Sequence, residues 1–300
     1  MTSMHVTRRH FMVLGAAATL AACAKAQPDP QVVAMFSQSR VIAAGLPQRL
    51  PFGIVNNGLV LPDSATLPVR VLLDGQVIDD LDVVGRVVNH DHAPATEGRL
   101  HEHADLQRYY AVRTTFPAPG IYDLEITIGK QLVMLPVQAF DRSEVNVMLA
   151  GDTFPMLDTP TLGDRRGVDP LCTKIAGPCP FHATTAAQIL SEGRPLALLV
   201  ATPAFCSTAY CGPTLETLIE AAADLDPSSR LAFVHVEPWA NPREGQGLSD
   251  PGLRVAPTPE ALGLEFEPAL FLVDRFGSLV ERIDNVFDRS ELDEALALVA

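Results

Sequence analysis

Residues 195–213 read PLALLVATPAFCSTAYCGP, and they predict a strand, a turn and the start of a helix. The apolar run over 195–201 is typical of a strand that is buried on both faces. Cys206 and Cys211 follow in the turn, and Pro213 suits the first turn of a helix. We therefore expect two thiols close together at a strand–helix junction, where the positive end of the helix dipole favours a thiolate.

The segments after this junction continue the alternation of strands and helices. They are a buried strand over 231–236, a short helix near 259–264, a hairpin within 269–283, and an amphipathic helix that begins at Ser290. Ser290 is a good N-cap for that last helix. The resulting order over residues 194–300 is β-α-β-α-β-β-α, which indicates an α/β domain.

This order of elements resembles the thioredoxin fold, and the resemblance covers residues 194–300. It is also carried by EPALFLVDRFG at 267–277, in which a proline precedes the hairpin. The resemblance implies that Pro268 is a cis proline beside the reactive cysteine. It further implies a chain similar to thioredoxin-like lipoproteins of unknown function that have a sandwich domain in front.

The chain departs from the thioredoxin pattern at its cysteines. Four residues separate Cys206 from Cys211, whereas thioredoxins carry Cys-x-x-Cys. Either Cys206 attacks and Cys211 resolves, or Cys211 takes the first position and Thr214 stands where the second cysteine would be. Glu267, before the proline, would place a negative charge near the thiols and oppose the thiolate.

The predicted function is thiol–disulfide exchange with thiols and disulfides of exported proteins, through Cys206, Cys211 and Pro268 and with no required cofactor. The chain would then be a thiol–disulfide oxidoreductase. Two alternatives stay open. One is a non-catalytic binding or scaffold protein whose cysteines form structural disulfides. The other is copper handling of the Sco type, since Sco proteins also use a thioredoxin-like fold with paired cysteines.

The residues before this domain predict short strands. Over 32–140, apolar or alternating runs such as 121–128 are separated by Asp-Gly, Pro-Gly and Gly-Lys turn signals. The segment 116–124 resembles a strand–turn–strand common in immunoglobulin-like domains. The expected fold class is therefore an all-β, immunoglobulin-like sandwich, a loop-rich linker over 141–193, and an α/β thioredoxin-like domain over 194–300.

The first residues predict export and lipid attachment. Arg8 and Arg9 precede an apolar run that is too short to span a bilayer, so residues 1–22 are typical of a signal peptide, here similar to a twin-arginine signal. The motif Leu-Ala-Ala-Cys that ends at Cys23 resembles a lipobox, which implies lipidation of Cys23. Residues 23–31 would tether an extracytoplasmic lipoprotein to its membrane.

The other four cysteines fall into two close pairs, as an export compartment that permits disulfides would favour. Cys172 and Cys179 stand in a short loop that two prolines stiffen, and we interpret them as a structural disulfide. The alternative is a second redox pair that passes electrons to Cys206 and Cys211.

The histidines suggest a metal site outside the cysteine motifs. Two His-x-His pairs, His90 with His92 and His101 with His103, could bind copper or zinc. The alternative is a solvated loop of biased composition. His235 lies on a predicted buried strand and is interpreted as a core residue, and His182 is not assigned.

Composition excludes several classes of protein. The 300 residues hold 22 Lys and Arg against 36 Asp and Glu, a net charge of −14, which argues against binding to nucleic acid. A hydrophobic content of 47% excludes a largely disordered chain. No phosphate-binding glycine motif is present in the sequence, so no nucleotide partner is expected.

Overall fold

The computed structural model of the protein describes residues 30–37, 39–56, 59–60, 66–88, 108–175, 177–206, 210–243 and 250–300. The signal segment, Cys23, His90, His92, His101 and His103 lie outside those residues. Export, lipidation of Cys23 and metal binding by the two His-x-His pairs therefore stay predictions.

Twelve strands and four α-helices are formed by the described residues. The strands are β1 (Gln31–Ala34), β2 (Pro47–Asn56), β3 (Leu59–Val60), β4 (Thr66–Leu73), β5 (Gln76–Val87), β6 (Arg108–Thr115), β7 (Gly120–Ile128), β8 (Gln131–Ala139), β9 (Leu196–Val200), β10 (Ala232–Val236), β11 (Ala269–Val273) and β12 (Leu279–Asp284). The helices are α1 (Ala186–Ser191), α2 (Cys211–Ala223), α3 (Pro257–Ala261) and α4 (Arg289–Leu296), and a 3-10 turn covers Arg142–Glu144. Within this part of the chain, no helix is long and apolar enough to cross a membrane.

The first eight strands form one antiparallel sheet in the order β1-β2-β6-β5-β4-β7-β8, with β3 paired to β2. In β4, Leu67, Val69 and Val71 point into the core and the residues between them are exposed, as the period of a strand requires. β5 pairs first with β4 and then with β6, so one strand joins both halves of the sheet. A bridge between Ala43 and Phe140 nearly closes it.

The last four strands form a second sheet in the order β10-β9-β11-β12. β10 is parallel to β9, whereas β11 is antiparallel to both β9 and β12. Every residue of β9 and β11 is buried, which explains their continuous apolar sequence. The peptide bond between Glu267 and Pro268, directly before β11, is cis.

The expected fold class, a sandwich followed by an α/β thioredoxin-like domain, is wrong. The chain is mostly β, with two sheets and only short helices. In its first part, the continuous strand β5 produces one nearly closed sheet where two separate layers were expected. In its second part, two of the three strand pairs are antiparallel, and the helices of 5, 8 and 13 residues are shorter than an α/β class implies.

A buried ion pair joins the first sheet to the last helix. Arg49 of β2 donates to both oxygens of Glu291 in α4, at 2.7 Å each, and the two side chains are 4% and 1% exposed. The same guanidinium donates to the carbonyl oxygen of Asp284 at 2.9 Å, and the hydroxyl of Tyr109 donates to Glu291 at 2.6 Å. Such a bidentate, fully bonded pair holds the two parts of the chain in one orientation.

This ion pair should make the stability of the protein depend on acid pH. Burial opposes ionisation of Glu291, but the charge and hydrogen bonds of Arg49 and the bond from Tyr109 outweigh it and lower the pKa of Glu291 to about 2. Because this value lies below the unfolded value of about 4.3, the stabilisation is present above that pH and is lost as the pH falls towards 2. We expect Glu291→Gln to cost about 3–5 kcal/mol at pH 7, measured by urea unfolding.

The control is Glu294→Gln, which removes the exposed partner of Arg86 and should change the free energy of unfolding by less than about 1 kcal/mol. The difference in stability between wild type and Glu291→Gln should shrink between pH 5 and pH 3. A difference that is constant over this range would contradict the ionised, buried Glu291.

Candidate metal centre

Two distant parts of the sequence meet at the outer edge of β10. The backbone N–H of His235 in β10 donates to the carbonyl oxygen of Phe181 at 3.3 Å, so the loop before α1 runs along this edge. The ring of Phe181 stacks on that of Phe233, with centroids 5.3 Å apart. These contacts bring His182 against His235, 53 residues further along the chain.

The loop also carries Cys172 and Cys179, and both sulfurs face the two imidazoles. The Cys179 Sγ lies 3.3 Å from the His182 Nε2 and 3.5 Å from the His235 Nδ1, and these two nitrogens are 3.3 Å apart. One ligand atom from each of the four residues falls within 4.8 Å of every other. All four side chains are buried. The group, called here the Cys2His2 cluster, could hold a metal ion.

Three separations within the Cys2His2 cluster, those among Cys179, His182 and His235, match a tetrahedral site. Bonds of about 2.3 Å to sulfur and about 2.0–2.1 Å to nitrogen, at tetrahedral angles, place neighbouring ligand atoms about 3.3–3.8 Å apart. The three distances of 3.3, 3.3 and 3.5 Å lie in this range. A single cation can therefore contact these three atoms without a large movement of their side chains, and the Cys172 sulfur lies within 4.8 Å of each of them.

A backbone contact fixes the orientation of His235. Its Nε2 lies 2.9 Å from the carbonyl oxygen of Ala201, just after β9. Because a carbonyl can only accept, this nitrogen carries a proton, and Nδ1 is the ring nitrogen that faces the cluster. Metal-binding histidines are commonly held by such a bond from the other ring nitrogen. The Nδ1 of His182 is buried with no hydrogen-bond partner among the described residues.

The protons of the cluster are shared unequally. The hydrogen bond from Cys179, followed by bonds from His182 and His235, lowers the pKa of Cys172, although burial opposes this. The same contact with Cys172, together with burial, raises the pKa of Cys179. The lowered pKa of Cys172 favours its thiolate, which is the form that binds metals.

Glu237 and Thr173 flank the cluster. Glu237 lies two residues after His235 and is buried, and burial raises the pKa of Glu237 to about 7 in spite of the opposing charge of His235. The backbone N–H of Thr173, which follows Cys172, donates to Glu237 Oε1 at 2.6 Å. A carboxylate therefore touches the chain next to a ligand residue without being a ligand itself.

The structure also places Cys206 and Cys211 beside each other. Cys211 is the first residue of α2, and its N–H donates to the Cys206 Sγ at 3.4 Å. Both residues are buried. Burial, the contact with Cys206 and the negative charge of Glu267 raise the pKa of Cys211. The negative charge of Glu267 thus opposes formation of a thiolate at Cys211, as the sequence suggests from the position of Glu267 before Pro268.

The Cys2His2 cluster differs from the sites that the sequence singled out. Cys172, Cys179, Cys206 and Cys211 are all free thiols in this structure. The structural disulfide that the sequence predicts between Cys172 and Cys179 stays a prediction. That disulfide would use the same two sulfurs as a metal ion. His182 carried only one sequence signal, the spacing Cys-x-x-His from Cys179. His235 has no such signal, because a buried histidine on a strand is equally typical of a core.

The comparisons with known proteins leave the function to be inferred from the site. No protein-family model matches the chain, and no curated protein matches it significantly. One solved structure with a partial likeness is trypsin-activated alpha-2-macroglobulin from Escherichia coli, at 16% identity and a TM-score of 0.25. The match covers 42% of this chain and 8% of that one, and a likeness this weak supports no conclusion.

The burial of Cys211 predicts slow chemistry at that thiol. Because the side chain is 0% exposed and its pKa is raised, we expect iodoacetamide at pH 7.5 to leave Cys211 unmodified in the folded, reduced protein. Mass spectrometry of tryptic peptides would measure the modification. The same reaction in 6 M guanidinium chloride is the control and should label Cys172, Cys179, Cys206 and Cys211. Labelling of Cys211 within minutes in the folded protein would contradict this.

Proposed function

We propose that the protein binds one metal ion in the Cys2His2 cluster, and that the ion is Zn²⁺. The observation that carries this proposal is the convergence of four buried ligand atoms within 4.8 Å, with separations of 3.3–3.5 Å between three of them. Two sulfurs and two imidazole nitrogens are a common ligand set of closed, four-coordinate zinc sites. A closed set leaves no position for a substrate, which favours a structural or metal-storing role over catalysis.

The charge of the cluster favours Zn²⁺ over Cu⁺, the other cation that prefers this ligand set. Two thiolates cancel the charge of Zn²⁺, whereas with Cu⁺ they leave a net charge of −1 in a buried site. Glu237 nearby adds no compensating positive charge. A buried site of zero net charge costs less desolvation free energy, so Zn²⁺ is the better fit.

This proposal predicts stoichiometric zinc binding that depends on the cluster. The full chain, reduced without oxygen and loaded with Zn²⁺, should retain one ion in native mass spectrometry. At a free Zn²⁺ concentration about 100 times the dissociation constant, binding should stabilise the fold by about 2.7 kcal/mol. We expect Cys179→Ser and His235→Ala each to abolish retention, because each removes one of four ligands.

The matched control is Cys206→Ser with Cys211→Ser, which leaves the cluster intact and should retain the ion. Competition between Zn²⁺ and Cu⁺ in the same measurement distinguishes the two cations. Wild-type protein that keeps two free thiols at Cys172 and Cys179 and retains no metal would contradict the proposal. Loss of those thiols to a disulfide in freshly isolated protein would favour the structural disulfide instead.

A second candidate function is thiol–disulfide exchange at Cys206 and Cys211. It is favoured by one specific contact, the 3.4 Å hydrogen bond from the first N–H of α2 to the Cys206 Sγ. This donor stabilises a thiolate on Cys206, whereas the pKa of Cys211 is raised. In this reaction the Cys206 thiolate attacks a partner disulfide and expels one partner thiolate. Cys211 then attacks the mixed disulfide, which releases the reduced partner and leaves a Cys206–Cys211 disulfide.

This second candidate predicts a labile disulfide. Titration with glutathione should give a reduction potential well above about −300 mV, because exchangeable pairs lie above the range of structural disulfides. Cys211→Ser should accumulate a mixed disulfide with a test protein that contains disulfides, such as insulin. Cys206→Ser should form no such mixed disulfide. A pair that resists reduction until the fold is denatured would exclude exchange.

The setting that we propose for these functions is the outer face of a membrane. It rests on the signal-like residues 1–22 and on Cys23 in its lipobox-like motif. Exported proteins would then be the partners of Cys206 and Cys211, and the lipid on Cys23 would be the contact with the membrane.

A further inference from the structure

We propose that Glu237 is a positioning residue for the metal centre, which holds the ligand Cys172 in place through the backbone of Thr173. This inference rests on the proposed metal binding by the Cys2His2 cluster. It assigns a role to a buried carboxylate that is not itself one of the four ligands.

The burial of Glu237 calls for a structural cause. Its side chain is 0% exposed, and a buried carboxylate is costly unless it accepts hydrogen bonds. Glu237 follows β10, and alternate residues of an extended chain share a face, so it lies on the same side as His235. The carboxylate is thus fixed to the strand that supplies one ligand of the cluster.

The other end of the contact is the loop that supplies a second ligand. The N–H of Thr173 donates to Glu237 Oε1 at 2.6 Å, a short bond between buried groups. Thr173 is covalently next to Cys172, so this bond sets the distance between the Cys172 sulfur and His235.

Two further contacts hold the same residue. The Thr173 hydroxyl accepts from the N–H of Ala204 at 3.1 Å and lies 3.4 Å from the hydroxyl of Thr202. Lys174, the next residue, pairs with Glu216 at 3.2 Å, and that glutamate is 45% exposed. The bond to Glu237 ties the backbone of this loop segment to the residue that directly follows β10.

The test compares three variants of the full chain after wild-type metal binding has been established. Glu237→Ala removes the acceptor, Glu237→Gln keeps an oxygen that can accept from Thr173, and Lys174→Ala removes only the exposed ion pair. The probe is Co²⁺, whose sulfur-to-metal charge-transfer band reports the number of bound thiolates. Zn²⁺ affinity is measured by competition with a chelator of known affinity.

We expect Glu237→Ala to weaken Zn²⁺ binding by about 10–100-fold, the usual effect of losing a group that orients a ligand. Its Co²⁺ charge-transfer band should fall towards the intensity of a single thiolate, because Cys172 is no longer held. Glu237→Gln should restore both properties, and Lys174→Ala should leave both unchanged. If Glu237→Ala does not fold, Glu237→Asp should show the same loss, since it withdraws the acceptor by one methylene.

Wild-type affinity and a full charge-transfer band in Glu237→Ala would overturn the inference, as would equal damage in Glu237→Gln and Glu237→Ala. The absence of metal binding in the wild-type protein is a different result. It contradicts the proposed function itself, and wild-type metal binding is therefore measured before any variant is compared.

Discussion

A polar group removed from water needs a partner, and this constraint acts on four side chains at one point of the core. Cys172, Cys179, His182 and His235 are buried together, with their ligand atoms within 4.8 Å of one another. Shared protons can satisfy only some of these atoms at once, whereas a single bound cation would contact all four. The loop runs along the edge of β10, and this path brings Cys172, Cys179 and His182 to His235.

Hydrogen bonds from the surrounding structure hold this geometry. His235 is fixed by the carbonyl of Ala201, and Cys172 is fixed through Thr173 by Glu237. Ala201 directly follows the central strand β9, and Glu237 directly follows the edge strand β10, which pairs with β9. When hydrogen bonds already hold the ligands in place, little free energy is lost in moving them on metal binding. The metal affinity of such a site is then set mainly by the metal–ligand bonds.

The sequence indicated some of these features and could not indicate others. The strands over 195–201, 231–236 and 269–273 follow from continuous apolar runs, and β9, β10 and β11 lie there. The fold class was wrong, because residue patterns report the period of a segment and not whether neighbouring strands pair in parallel or join two layers into one sheet. The cluster was missed because His235 lies 53 residues from His182, and only the pairing of the loop with β10 brings the two together.

The most direct test of a tetrahedral Cys2His2 centre is X-ray absorption at the zinc K-edge of the loaded, full-length protein. The proposed centre predicts two sulfur neighbours at about 2.3 Å and two imidazole nitrogens at about 2.0–2.1 Å, with the outer-shell scattering that imidazole rings produce. A first shell made only of oxygen and nitrogen would contradict it, because zinc would then be bound elsewhere on the acidic chain.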